Sequence, residues 1–455
     1  MSPAMRSAMK PGAVLLACAT LAGLLRGGEP LSLARALRLV DERSQSAEAA
    51  RSSLAGAREE TAQVRGLYWP EIQIQGGYWT TDHRPELLSQ PMRIGPLTVP
   101  SQVFPTSDSQ AWRYKASVHY LLWDFGRRSG ALSASRAREE AVAGSGDADL
   151  LKAQSEVAAR YFTLLNLKAQ KRVLIQRREA LETHLGHARA LFEQGIVARN
   201  DLLRTEVALR SVGDAEHALD QAYTSALEGL NVAMGLPPGT AQELPEALAG
   251  PPALPWDEAH CRAMAREANP AVRAARARTR ALSDQAAYRR KDFLPTLAAE
   301  ASHTYGQNSF LTHEHETSLF VGLSWKLFDG GVRAARVRQA EAETGRARRD
   351  LQEAERQAET SAAAALRAFR QSLREVDTAR LNVASAEENL RMAGDQYQEG
   401  LVRNTDVLDA ESVLAESRSA LEDRRYRAYA QQAGLLAALG EDLPAFFEAH
   451  APREQ

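Results

Sequence analysis

The sequence predicts a mainly α-helical protein with a membrane β part, built from one unit used twice. Three observations lead there. The segment Gly195-Ile196-Val197-Ala198-Arg199-Asn200-Asp201-Leu202-Leu203 returns 205 positions later as Gly400-Leu401-Val402-Arg403-Asn404-Thr405-Asp406-Val407-Leu408. Glu206, Leu209 and Gly235 return in step as Glu411, Leu414 and Gly440, which is the mark of a duplicated structural unit. Proline is missing between Pro105 and Pro237 and between Pro295 and Pro444, so long helices meet no breaker there. Just before each helical hairpin the apolar period shortens to 2, the period of a strand.

The elements follow in order. Arg6 and Lys10 precede an apolar run from Ala13 to Leu25, closed by Arg26-Gly27-Gly28. The run is too short to span a bilayer and reads as a secretory signal over residues 1–28. No later stretch approaches the ~18 apolar residues of a membrane helix. Leu15-Leu16-Ala17-Cys18 weakly resembles a lipoprotein cleavage box. That makes Cys18 a candidate for lipidation, although Leu16 and the continuing apolar run count against it. Cys261 then has no partner in the chain and reads as a small buried hydrophobe.

Residues 29–69 form the first opening helix, and residues 70–123 a β-hairpin with a long extracellular loop. After Pro70, Ile72, Ile74 and Tyr78 alternate with Glu71, Gln73 and Gln75. Trp112, Tyr114, Ala116, Val118, Tyr120 and Leu122 alternate with Arg113, Lys115, Ser117 and His119. Between these strands lie Pro85, Pro91, Pro96, Pro100 and Pro105. Residues 124–235 are a long helical hairpin. Its first helix runs from about Gly126 to Gln194, roughly 100 Å at 1.5 Å per residue. Leu174, Leu181, Leu185, Ala188 and Phe192 lie on its coiled-coil seam. Gly195 closes it, Asn200 caps the return helix and Gly235 ends it. Gly144-Ser145-Gly146 predicts a bend in the first helix.

A linker at residues 236–256 leads to the second copy, with an opening helix at 257–294 and a β-hairpin at 295–328. Its strands carry Leu297, Ala299, Ala301 and Tyr305, then Leu319, Val321, Leu323, Trp325 and Leu327. The second helical hairpin covers 329–440, with a helix from Gly331 to Glu399. Its seam is Val376, Ala379, Val383, Ala386, Leu390, Ala393 and Tyr397. Gly400 makes the turn, Thr405 the cap and Gly440 the stop. Residues 441–455 are a short tail.

Segments of about ten alternating residues with aromatics near their ends suit a membrane β-barrel. Four strands cannot close one, and open edges are not tolerated in lipid. Copies of the chain must therefore share strands, eight from two or twelve from three. The formal net charge of −2 gives no basic surface for nucleic acid. No phosphate loop, zinc motif or nucleophile elbow is present, so no catalytic residue and no cofactor is expected. His313-Glu314-His315, and His184 with His187, supply too few ligands and read as surface residues rather than a metal site.

The ordered motifs carry a resemblance. Leu31-Ser32-Leu33-Ala34-Arg35-Ala36-Leu37 and Asn269-Pro270-Ala271-Val272 open the halves. Tyr68-Trp69-Pro70 and Phe293-Leu294-Pro295 enter the strands. Leu122-Trp123-Asp124-Phe125-Gly126 and Leu327-Phe328-Asp329-Gly330-Gly331 leave them, and both hairpin turns read Gly-x-Val. From about Leu31 to Gly440 the chain resembles the TolC family of outer-membrane efflux proteins. The resemblance implies a homotrimer in outer-membrane lipid, whose twelve-stranded transmembrane β-barrel, four strands per chain, continues into a trimeric α-barrel forming a tunnel in the periplasm. It implies a passive exit duct of a tripartite efflux pump or type I secretion system, opened by a periplasmic adaptor (membrane fusion) protein and an inner-membrane pump, with no reaction catalysed.

Tyr397, Asp406 and Asp409 match the family's periplasmic channel constriction, where carboxylate rings would favour cations. Asp near a helix start is also favoured by the macrodipole alone. The family's arginine at this gate is replaced by Val402, with Arg403 beside it. Gly195, Val197, Gly400 and Val402 fall at the hairpin tips where an adaptor docks. The short tail leans towards small-molecule cargo. The rival reading is a periplasmic coiled-coil adaptor or scaffold.

Overall fold

The computed structural model describes residues 30–246, 248 and 250–450. The signal segment and Cys18 lie outside the described residues. In chain order the elements are α1 (Leu33–Arg43), α2 (Gln45–Gly66), β1 (Glu71–Thr80), β2 (Glu86–Leu88), β3 (Met92–Ile94), β4 (Leu97–Val99), β5 (Val103–Pro105) and β6 (Gln110–Trp123). Then come α3 (Arg127–Glu193), α4 (Arg199–Ala233), α5 (Glu258–Ala268), α6 (Pro270–Arg290), a 3-10 turn (Lys291–Phe293), β7 (Thr296–Gly306) and β8 (His315–Ser324). The last elements are α7 (Val332–Gln398), α8 (Asn404–Leu439) and α9 (Leu443–Ala449). The fold is mostly helical with a small β part, as the sequence predicts. Two compact units result: one from the described residues of Met1–Glu48, Leu150–Met264 and Thr360–Gln455, the other from Ala49–Asp149 and Ala265–Glu359.

The second unit holds an antiparallel sheet in the order β1-β6-β7-β8. The central pair, β6 with β7, joins the two sequence copies, and Tyr114 faces Tyr305 across it. A bulge between Leu121 and Trp123 ends the regular register of β6 against β7. Trp325 and Leu327 fall beyond β8, which stops at Ser324. The proline-rich segment after β1 is itself a β-ribbon, in which β2 pairs with β5 and β3 with β4 around Gly95 at φ 61°. Its prolines sit mostly between these three-residue strands, where no ladder donor is needed.

α3 continues through Gly144 and Gly146 without a break. A Cβ on Gly144 would meet Ala274 of α6 at 3.1 Å, and one on Gly146 would meet Ala50 of α2 at 3.0 Å. These glycines bring neighbouring helices close, and that packing outweighs their low helix propensity.

The first unit is built on an aromatic and aliphatic core. Tyr161, Phe162, Leu164, Leu165, Tyr426, Tyr429 and Leu436 are buried in it. Phe162 stacks on Tyr429 at 5.0 Å, and Phe447 of α9 lies 6.3 Å from Phe162. Residues 443–449, expected as part of a tail, thus fold as a helix that buries Leu443 and Phe447. The Tyr161 hydroxyl donates to the Leu31 carbonyl at 2.7 Å, and Asn231 Nδ2 donates to Pro238 and Thr240 carbonyls at 2.9 and 2.8 Å. Cys261 is buried, and burial pushes its thiol up.

All four hairpin-closing glycines adopt the left-handed conformation, with φ between 73° and 83°. Each closes its helix with a pair of backbone bonds, as in Gly400 N–H to Tyr397 and Leu401 N–H to Gln396. The return helices start two residues earlier than expected. Their N-caps are Ala198 and Arg403, so Asn200 and Thr405 lie inside the first turn.

The four glycines are not equivalent. A Cβ on Gly235 would stand 2.2 Å from the Arg43 carbonyl oxygen, whereas one on Gly400 meets nothing within 4 Å. Gly400→Ala should cost only the left-handed penalty, about 1–2 kcal/mol. Gly235→Ala should cost clearly more, because backbone must move. Helical melts of the two purified variants, followed by circular dichroism, check the ranking.

Candidate channel wall and hairpin tips

The register sorts the sheet into two faces. Ile72 pairs with Val118 and Tyr78 with Trp112, Val118 with Ala301, and Ala301 with Leu319. This face is apolar and open: Ile74 is 79% exposed and Leu319 75%. The opposite face carries Gln73, Gln75, Ser117, His119, Ser302 and Ser318, with Lys115 Nζ 3.0 Å from Glu300 Oε1. Side chains this apolar do not stay in water across a whole sheet face. Tyr78, Trp112, Tyr114 and Tyr305 form a ring-on-ring row near the loop end of the strands, with centroids 5.1 to 6.1 Å apart. Trp69, Trp123 and Trp325 stand exposed at the other end. Nine residues separate Tyr114 from Trp123, so strands tilted as in membrane barrels place the two rows about 25 Å apart. Among the described residues no helix is long and apolar enough to cross a membrane.

Each strand-to-helix joint is a duplicated clamp. Asp124 accepts from Gly126 N–H at 3.1 Å, Arg128 N–H at 2.8 Å and Arg128 Nε at 3.1 Å. Arg128 reaches on to the Leu67 carbonyl at 3.2 Å and covers the Tyr68 ring at 4.9 Å. In the second copy Asp329 accepts from Arg333 Nε at 2.7 Å, Arg333 Nη1 donates to the Asp292 carbonyl at 3.2 Å, and its guanidinium covers Phe293 at 4.9 Å. The sequence motifs at the strand exits contain the aspartates. The arginines four residues on were missed, although they repeat at the same 205-residue interval. Partial burial works to raise the Asp124 carboxyl, but the N–H groups and charge of Arg128 and the Gly126 N–H outweigh it and hold it below the usual carboxylate range.

The first unit holds the hairpin tips and the expected constriction residues. Gly195 and Gly400 are exposed turn residues; Val197 and Val402 beside them are half-buried. The neighbouring Ile196 and Leu401 are 60% and 69% exposed. Tyr397 is buried, its ring 5.2 Å from that of His184, and its hydroxyl has no hydrogen-bond partner among the described residues. Burial raises its phenol, and the Asp201 charge adds to the effect. Its repeat counterpart Phe192 is 41% exposed, so the seam differs between hairpins. Asp406 and Asp409 are exposed. Asp406 Oδ2 accepts from the Arg403 N–H at 2.9 Å, which ties it to the helix start.

The residue that joins the two tips is Asn404, which sequence reasoning passed over. It is 1% exposed. Its Nδ2 donates to the Asp201 carbonyl at 3.0 Å and to Thr205 Oγ1 at 3.3 Å, and its Oδ1 lies 2.6 Å from His184 Nε2. With Nδ2 already donating, Oδ1 is the acceptor, so His184 Nε2 carries the proton. Arg199 occupies the matching place in the first copy. A short polar residue replacing a long cation within an otherwise copied turn was the available signal. Nearby, Glu411 is buried on α8, and burial raises its carboxyl against the opposing pull of Arg177 and Arg418.

Comparisons with known proteins follow this geometry. Residues 36–236 and 262–441 match the family described as outer membrane efflux protein, one stretch per sequence copy. The fold superposes on the outer-membrane channel OprN with a TM-score of 0.72 at 19% identity, covering 90% of each chain. On VceC of Vibrio cholerae the TM-score is 0.71 at 18% identity, covering 90% of this chain and 96% of that one. Against protein CyaE of Bordetella pertussis the chain is 26% identical over 296 residues, 63% of this chain and 58% of the relative. The chain thus spans under two thirds of that relative's length.

Two outcomes are expected. A carboxyl held below its ordinary range stabilises the fold fully above the unfolded value, near pH 4, and loses that contribution as the pH falls through its lowered folded value. Acid titration of Asp124→Asn should show lower stability at neutral pH and a smaller further loss between about pH 4 and 2 than the parent. Asn404→Ala should strand His184 Nε2–H and cost about 1–3 kcal/mol, read as faster amide exchange at both tips.

Proposed function

The chain belongs to the outer membrane efflux protein family, and from that premise we propose that three copies assemble into a twelve-stranded barrel prolonged by a tunnel of their long helices. The observation that carries this reading is the four-stranded sheet whose outer strands, β1 and β8, each pair on one side only while its apolar face lies open. An edge strand in lipid leaves N–H and C=O groups without partners, each costing several kcal/mol. A sister subunit offers the matching edge. The adaptor reading loses its support, because both sequence copies match the efflux family rather than a single hairpin carried on soluble domains.

In this reading the protein is a passive exit duct that catalyses no reaction. An inner-membrane pump supplies the work, and a periplasmic adaptor seats on Gly195, Val197, Gly400 and Val402. The exposed Ile196 and Leu401 give that seat an apolar surface. Asp406 and Asp409, three copies each, ring the tunnel mouth with negative charge and favour cations. Asn404 takes the latching part that an arginine at Val402 would otherwise play, by tying the second tip to Asp201 and Thr205 of the first. Tyr397, packed on His184, backs that tie. The cargo of a duct of this kind is set by its pump.

Mass measurement of the detergent-purified protein should give three chains; a monomer with a closed sheet would refute the assembly. In planar bilayers the double variant Asp406→Asn and Asp409→Asn should raise conductance and weaken block by divalent cations. Unchanged conductance and block would remove these aspartates from the constriction.

A further inference from the structure

His303 on β7 and His315 on β8 lie on the apolar face of the sheet, at the loop end of the strands and level with the aromatic row. Register pairs His303 with Thr317 and Tyr305 with His315, so the two histidines are diagonal cross-strand neighbours. Their rings stack with centroids 5.5 Å apart, and His303 Nε2 stands 3.4 Å from His315 Nδ1. That separation is long for an N–H···N hydrogen bond. It equals the spacing of two nitrogens that each bind one tetrahedral ion at about 2.0–2.1 Å, roughly 3.4 Å.

The second nitrogen of His303 is engaged. Its Nδ1 lies 2.8 Å from Thr317 Oγ1. When Nδ1–H donates there, the lone pair is on Nε2, facing His315. A hydrogen bond to the far nitrogen is how ligating histidines are oriented. His315 is steadied on its other side by the Tyr305 ring at 4.9 Å. Neither neighbouring glutamate neutralises the pair: Glu316 lies on the opposite face by register, and Glu314 Oε1 accepts from the Asn308 N–H. Both imidazoles are exposed at the level of the aromatic row, where a membrane barrel meets the wet headgroup region, which leaves room for water to complete a coordination sphere.

We propose that His303 and His315 form a two-imidazole site for a divalent transition-metal ion of the copper, nickel or zinc class. Thr317 is its positioning residue. The sequence motif His313-Glu314-His315 does not reveal this pair, since the partner of His315 lies across the hairpin and not beside it in the chain. Copper binds such nitrogen sites tightest within this series, so Cu2+ is the probe. Bound ion would staple the outer ends of β7 and β8, and acidification would release it, because protons compete for the same nitrogens.

The test uses the full-length, untagged protein in detergent. Cu2+ titration followed by electron paramagnetic resonance should give one saturable site per chain, with hyperfine coupling to two nitrogens. His303→Gln and His315→Gln should each leave coupling to one nitrogen and weaken binding at least tenfold. Thr317→Val should weaken it about tenfold, the low end for loss of an orienting partner, while keeping both couplings. His313→Gln should bind as the parent does. No saturable site, no nitrogen coupling in the parent, or an affinity as high as the parent's in either glutamine variant would each overturn the proposal.

Discussion

The rest of the structure depends on a hydrogen-bonding constraint at the rims of one small sheet. Strands β1 and β8 each spend one ladder and leave the other open. In water such rims are blunted by charge, proline or cover. Here they flank a face of Ile72, Ile74, Leu319 and Leu323 that is suited to lipid. Lipid cannot accept unpaired backbone groups, so the sheet is completed only by more strands. In the proposed trimer, that requirement makes the duplicated chain a subunit and explains why a four-stranded β part accompanies so much helix.

The helices must then leave the sheet at a fixed angle. Twice the same clamp does this, with an aspartate gathering the first N–H groups of the long helix and an arginine four residues on. Each arginine ties the helix to the segment entering the strand and lies over its aromatic ring. Phe125 takes a left-handed φ of 56° at the place where the second copy has Gly330 at 66°. The backbone path is therefore set by the joint and not by the residue occupying it. Further along α3, glycines that would weaken an isolated helix become the points of closest approach to α2 and α6.

At the far ends of the long helices the two copies diverge. Tyr397 is buried where Phe192 is exposed, and Asn404 is buried where Arg199 is exposed. At the tips one hairpin thus holds the other through the Asn404 amide, which serves three partners, while Gln170 and Arg177 bond across farther along the helices. A buried polar group with all its bonds made is specific and readily disrupted, because losing one partner leaves the others desolvated and unmet. The proposed opening of the tip by an adaptor calls for that kind of contact.

Periodicity and punctuation alone determined the duplicated architecture, the two 67-residue helices, the four strands and their faces, and the glycine turns. These are local properties: a proline-free seam, an alternation of 2 and a left-handed glycine need only near neighbours. Tertiary structure decided what each punctuation mark was for. Gly144 and Gly146 are points of close helix contact; Asn200 and Thr405 looked like caps and lie within the first turn. The proline-rich loop is a ribbon, and the tail is a helix packed on Phe162. Asn404, Arg128 and the His303–His315 pair draw their roles from residues distant in sequence or across a hairpin. Such partners are set by which surfaces the folded chain brings together, and no window along the sequence contains that information.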